Sequence, residues 1–343
     1  DVLGSRGLGD VYKRQVSYNN SSFMYSFTEK INLLKSLIDK GLLPLINSSC
    51  VYLDVPYHTN IGDTLIWEGT EQFLASNHIK CLYRNSTLTY YYRKISKKTT
   101  ILLHGGGNFG DIWRSHQELR LRIIQEYPNN QIIILPQTIY YTDHSIMKTD
   151  ALIMAKHPNL TICARDEISH SILKKYFHNN NILLLPDMAF YISPQKIRDH
   201  TTACTNNRIL LIKRTDKELS SFNLSSLELD YTKIDIRDWP SMETMPTYMS
   251  FFYKLYMACH KLGTFTYPIL DNYAYHIIRP KLLQAGMHFI NPYKEIYTTR
   301  LHVAILSILT HKPFMFIDNS YGKNSSFYNT WLTDLNGSTF VRE

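Results

Sequence analysis

The chain has 343 residues, 44% of them hydrophobic and 19% charged, a formal net charge of +8 and an isoelectric point near 9.0. This is the composition of a globular protein long enough for two domains that each bury a core. The high isoelectric point suggests an anionic substrate or an anionic membrane surface as partner, solubility alone being the alternative, while the dispersal of the basic residues argues against a nucleic-acid arm.

Residues 1–15 are set aside, because "SRGLGDVYKRQ" (Ser5 to Gln15) has the look of a translated sequencing adapter. Without Arg6, Lys13, Arg14, Asp1 and Asp10 the net charge is +7. The five cysteines (Cys50, Cys81, Cys163, Cys204, Cys259) are odd in number and form no CxxC pair. That pattern suits a reducing compartment better than a disulfide framework or a zinc site. No apolar stretch approaches a membrane span and no signal peptide is visible. The expected location is the cytoplasm, with peripheral contact at the inner membrane face in keeping with the charge.

Onward from there, short apolar runs alternate with segments of helical period, the pattern of a parallel sheet wound with helices. Strands are predicted at "VYLDV" (51–55), "CLYR" (81–84), "TILLHG" (100–105), "QIIILPQ" (131–137), "TICARD" (161–166) and "ILLLPD" (182–187). Helices fall near 63–76, 114–126, 145–156 and 166–177. A second set begins at "ILLIKR" (209–214) and continues with a long helix near 242–262, a helix near 274–285, the strand "EIYTT", the helix "HVAILSILT" and the strand "PFMFID". The expected organisation is an N-terminal Rossmann-like domain over 16–195, a linker over 196–208 and a C-terminal Rossmann-like domain over 209–343, facing each other across a cleft. The aromatic, Met-rich helix near 242–262 is expected to pack in the core or between domains, the alternative being an interface or an acceptor groove.

Within this frame, "GGGNFG" fits G-x-G-x-x-G and follows a strand. A dinucleotide site would also place an acid at the end of the next strand, which here ends in Pro136-Gln137, and no Lys-Ser/Thr follows for a Walker loop. What survives is a bare loop, Gly105, Gly106, Gly107 and Asn108, offering backbone N–H groups and a helix N-terminus to an anion. A parallel loop, "NIGD", supplies Asn60, Gly62 and Asp63. Asp63 and Asp111 are either helix caps or groups that work on substrate.

In the second half, "LLIKRTD" puts Lys213 and Arg214 at a strand end, where an Arg fork binds phosphate or carboxylate. "TTRLH" carries Arg300, Leu301 and His302 into an apolar helix, so that His302 projects from its N-terminus as a candidate acid/base. "DNSYGKNSS" adds Tyr321, Lys323, Asn324 and Ser325 as a donor-rich loop. Arg165 in "ARDEIS" reads as a brace behind the residues that touch substrate.

The blocks "NIGDTLIWEG", "LLHGGGNFGDIW", "IIILPQTIYY", "ARDEIS", "LLIKRTD", "TTRLHVAILS" and "FIDNSYGKNSSFYNTW", in this order over about 57–332, resemble the polysaccharide pyruvyl transferase family. The resemblance implies two Rossmann-like domains in a GT-B-like arrangement. It implies transfer of a pyruvyl group from phosphoenolpyruvate to a sugar as a ketal, the sugar belonging to a glycan precursor that is free or lipid-linked. It implies no cofactor and no obligatory metal. The family's donor-binding Arg and catalytic His fall on Arg214 and His302; Lys323 is expected to join Arg214 on the phosphate or carboxylate, and Asp63 and Asp111 are candidate bases toward the acceptor or orienters of the glycine loops. The competing readings are a GT-B glycosyltransferase using a nucleotide sugar and a carbohydrate-binding protein with a decayed site.

Overall fold

A computed structural model describes residues 24–200, 206–212, 231–318 and 322–341. Its first helix, α1 (Phe27–Leu42), starts at a reciprocal capping box in which Ser26 and Glu29 each bond the other's backbone N–H. There follow β1 (Ser49–Leu53), α2 (Ile61–Ser76), β2 (Lys80–Asn85), β3 (Thr100–Leu103), β4 (Gly106–Gly110), α3 (Arg114–Glu126) and β5 (Ile132–Tyr140). The first sheet is completed by α4 (His144–Met154), β6 (Leu160–Ala164), α5 (Glu167–Tyr176) and β7 (Asn181–Leu184). Its strands are parallel in the order β2-β1-β3-β5-β6-β7. The strands β1, β3 and β6 are predominantly apolar runs, with one Ser or Thr each and almost every residue buried, as expected where helices cover both faces.

After α6 (Pro194–Arg198) come β8 (Ile209–Ile212), β9 (Ile234–Arg237), α7 (Pro240–Glu243), α8 (Thr247–Leu262), α9 (Tyr267–Tyr273) and α10 (Arg279–Ile290). The chain ends with β10 (Glu295–Thr298), α11 (Leu301–Leu309), β11 (Phe314–Ile317), α12 (Lys323–Trp331) and β12 (Ser338–Val341). This sheet is also parallel, in the order β12-β11-β10-β8-β9. Strand order reverses between β1 and β3 in one sheet and between β8 and β10 in the other. Crevices at the carboxyl ends of such reversals are where open α/β sheets bind ligands.

Two helices cross between the halves. Near the chain's start, Lys30 of α1 reaches Asp334 at 2.5 Å, and Tyr25 forms an isolated bridge to Leu335. Helix α12 lies on the first half: Ser326 bonds Asp166 at 2.8 Å and Trp331 Nε1 donates to the Arg165 carbonyl at 2.7 Å. Between the sheets, α2 is buried nearly all round, so its carboxylates need partners inside. Glu68 takes Arg279 at 2.8 Å and Glu71 takes Arg84 at 2.5 Å.

Three segments differ from the sequence reading, the first being Lys323–Ser325, expected in a donor-rich loop and found opening α12 after Gly322 in the left-handed region. The expected helix over 242–262 is interrupted at Thr244–Pro246, since proline has no N–H to continue a helix and restricts the residue before it. The glycine run is a strand rather than a loop at a helix N-terminus. Gly106 to Gly110 forms β4 and pairs with the far end of β5, while α3 starts only at Arg114, from a Trp113 cap position without a side-chain bond.

Candidate functional site

A cleft of about 400 Å³ opens at these sheet ends. The first half contributes His58, Asn60, Asp63, Gly107, Asn108, Trp113, His116 and Arg165, and the second contributes Trp239, Met242, Arg300, Leu301, His302 and Lys323.

Asp187, just past β7, organises one wall. Its Oδ2 accepts from Arg165 at 2.7 Å and lies 3.3 Å from His302 Nε2, while Oδ1 accepts the Ala189 amide at 2.9 Å. Burial pushes this carboxyl up, but His302, Arg165 and the Ala189 amide hold it well below the ordinary carboxylate range. It is therefore a fixed anion held between Arg165 and the His302 ring. Arg165 also donates to Thr138 at 2.9 Å.

Glycines make room for these groups. A Cβ on Gly62 would stand 2.6 Å from His302 Nδ1, and one on Gly107 would stand 2.6 Å from Lys323 Nζ and 3.3 Å from an Arg165 nitrogen. Gly106, at φ +122°, opens toward Asp63. Gly105 serves packing instead, against the Pro136 carbonyl. The bare backbone admits protein side chains from across the cleft.

Asn60, not Asp63, caps α2: its side-chain Oδ1 accepts the Gly62 amide at 2.9 Å and its Nδ2 donates to Asp63 Oδ2 at 2.9 Å. Asp63 faces the cleft. Burial pushes its carboxyl up, yet His58, His302, His104 and Arg165 together hold it below the usual range.

A second His–Asp pair adjoins the cleft, which His116 lines. His116 Nδ1 lies 2.6 Å from Asp54 Oδ1, and Asp54 Oδ2 accepts from buried Arg120 at 2.9 Å. Asp54 adopts the left-handed region at φ 63°, an uncommon backbone state for a non-glycine residue, and one that clusters at functional sites. Burial pushes the Asp54 carboxyl up, and Arg120, His116 and His104 bring it below the usual range. Arg120 also bonds the Asn108 carbonyl and side chain, which fixes Asn108 in place. Beneath them His104, pushed down to about 4 by burial, stays neutral against the Tyr52 hydroxyl.

Several expected site residues have other duties. Asp111 accepts from Thr142 and Asp143 at 2.6–2.9 Å, tying the β5–α4 turn, and does not line the cleft. Asn324 donates to the Thr299 and Ile317 carbonyls, and Ser325 bonds Gly322 and Asp318. Arg300 lines the cleft but makes a two-point pair with Asp238 at 2.5 and 2.6 Å. Arg165 does more than brace, since it reaches the cleft itself. Lys213, Arg214 and Tyr321 lie outside the described residues. The sequence reading missed Asp187, His116, Asp54 and His58. For Asp187 a signal existed, an acid directly after an apolar strand at the same sheet edge.

Arg165 and His302, one from each half, meet at one buried carboxylate in the cleft wall, and the protein is a transferase. Residues 60–321 match the polysaccharide pyruvyl transferase family, and the chain belongs to it. It is 32% identical over 322 residues to the putative pyruvyl transferase EpsO of Bacillus subtilis, covering 93% of this chain and 94% of that protein. It is 26% identical to pyruvyl transferase 1 of Schizosaccharomyces pombe, over 81% of this chain and 68% of that one. A functionally uncharacterised protein from Klebsiella pneumoniae has the same fold, with a TM-score of 0.59 at 20% identity, covering 90% of this chain and 98% of its own.

Proposed function

We propose that this protein transfers the pyruvyl group of phosphoenolpyruvate to two hydroxyls of one sugar, forming a ketal and releasing phosphate. The observation that carries this reading is the joint hold of Asp187 on Arg165 and His302, with Lys323 beside Arg165 over Gly107. Phosphoenolpyruvate carries a phosphate and a carboxylate, and Arg165 and Lys323 are suited to clamp them. The two wound halves then act as a GT-B-like pair, each supplying part of the donor site.

His302, charge-balanced by Asp187, gives a proton to the methylene carbon of the enol, and that carbon becomes the methyl group. C2 turns electrophilic and takes an acceptor oxygen whose proton passes to a base. A second hydroxyl of the same sugar then attacks C2 as the C2–O bond to phosphate breaks, and its proton also passes to the protein or the leaving phosphate. His116 is the base we assign to the acceptor side. Its Nδ1 is held by Asp54, which leaves Nε2 for a hydroxyl, and Trp113, one helical turn earlier and 46% exposed, offers a face on which a sugar stacks. Asp63 is the anion that orients the groups between them. No step calls for a cofactor.

The test is to incubate the protein with phosphoenolpyruvate and a panel of glycosides, following phosphate release and the new ketal methyl resonance. Both should depend on acceptor and donor together. A protein that neither binds phosphoenolpyruvate in a thermal-shift titration nor releases phosphate with any glycoside would refute the reading.

A further inference from the structure

Helices α8 and α9 form a hairpin, turned at Gly263 with φ +110°, whose inner face packs on the core through Met249, Phe252, Cys259, Tyr267 and Leu270. The outer face carries Phe251, Met257, Leu262, Phe265 and Ile269, all more than half exposed, with Leu262 at 65% and Phe265 at 76%. Single apolar residues on a surface are ordinary, but five large exposed ones within one helical hairpin suit an interaction site. Positions 251, 254, 257, 258, 261 and 262 share one side of α8, so Lys254 and Lys261, both exposed, lie among the apolar groups.

The charge on this stretch has one sign. From Thr244 to Leu270 there is no Asp or Glu. The flanking acids are engaged, Glu243 with Arg237 at 2.5 Å and Asp271 with Tyr57, Asn85 and Thr89. Lys281 adds a further exposed cation, its ammonium over the Tyr248 ring. Phe, Leu and Met beside Lys on one helix face is the chemistry of an interfacial helix on anionic lipid. The face also joins the cleft: Met242 lines the cleft and is 44% exposed, and exposed Met245 leads from it to α8.

We infer that the α8–α9 hairpin docks on an anionic bilayer, seating the apolar groups at the acyl boundary and the lysines among the headgroups. The cleft mouth then faces the membrane surface, where a lipid-linked acceptor would be presented. The docking itself does not depend on the pyruvyl transfer chemistry and is tested without substrate.

The test is co-sedimentation of the full chain with phosphatidylglycerol vesicles and with phosphatidylcholine vesicles. The wild type should bind the former and not the latter. Lys254→Gln with Lys261→Gln should weaken binding roughly thirty-fold, at about 1 kcal/mol per basic residue. Phe251→Ser with Phe265→Ser should abolish it, and Leu152→Ser, an exposed apolar group on α4, should leave it unchanged. Light scattering on the same samples reads the competing outcome. Absence of wild-type binding, indifference to lipid charge, binding that survives the Phe pair of changes, or a dimer that those changes dissolve would each overturn the inference.

Discussion

His302 on α11 and Asp187 after β7 meet across the boundary between the two sheets, Nε2 to Oδ2 at 3.3 Å. The pair forms only when both halves are folded and docked, and Arg165 shares the same carboxylate oxygen. We predict that His302→Ala lowers turnover by about 10²- to 10⁴-fold, the usual contribution of a positioned acid/base group. Asp187→Asn should cut the rate too, and should move the falling limb of the rate–pH profile to lower pH, because the protonated ring loses its counter-charge. A variant with an unmoved pH profile would limit Asp187 to packing.

Gly62 is predicted to be intolerant of the smallest side chain for a reason outside its own helix. An alanine Cβ would stand 2.6, 3.0 and 3.1 Å from His302 ring and Cβ atoms. Alanine is favoured over glycine in a helix by about 1 kcal/mol, so Gly62→Ala should melt near the wild-type temperature while losing most turnover. At Gly107 the facing atom is the flexible end of Lys323, so Gly107→Ala should raise the KM for phosphoenolpyruvate several-fold with a smaller effect on kcat. Equal losses in both variants would speak against separate roles.

These contacts mark where sequence reading stops. The strands were legible because β1, β3 and β6 are buried apolar runs, and the helices between them because their caps and periods are local. His302 was legible because it sits at a strand-to-helix entry beside Arg300. Asp187 and His116 were not, since each draws its meaning from a partner far along the chain, His302 in one case and Asp54 in the other. The glycines misled for a related reason. A run at a strand end suggests an anion loop, whereas Gly107 admits Lys323 and Arg165, and Gly110, at φ +137°, lets β4 press on Tyr140. Among the contacts of α1 with the second half, the pairing of Lys30 with Asp334 is one that no local pattern announces.

His116 and Asp54 should act on the acceptor side alone. His116→Ala is expected to reduce kcat by at least ~10²-fold with little change in phosphoenolpyruvate binding, and Asp54→Asn to follow it in direction. The discriminating measurement is a phosphoenolpyruvate thermal-shift titration beside steady-state kinetics with the acceptor varied. Loss of donor binding in His116→Ala would move this residue to the donor side.

Stability should carry a pH signature from Asp271 on α9. Its carboxyl accepts from Tyr57 at 3.1 Å, Asn85 at 2.7 Å and Thr89 at 2.6 Å, linking α9 to the first half. Burial pushes it up to about 7, against the pull of those donors and of Arg93. In the unfolded chain an aspartate titrates near 3.9, so between about 3.9 and 7 the folded state holds a proton that the unfolded state has lost. Stability from this group therefore falls as pH rises through that window and is level above it. Asp271→Asn keeps the shape without the charge, and Asn85 Oδ1, which has no hydrogen-bond partner among the described residues, can turn to accept from the new amide. The variant should exceed the wild type in melting temperature at pH 8, a gain of at most a few kcal/mol, and show no gain at pH 4, where the wild-type carboxyl is already protonated. Melts of both proteins at the two pH values decide it: an equal difference at both would mean that ionisation of Asp271 contributes nothing to the junction.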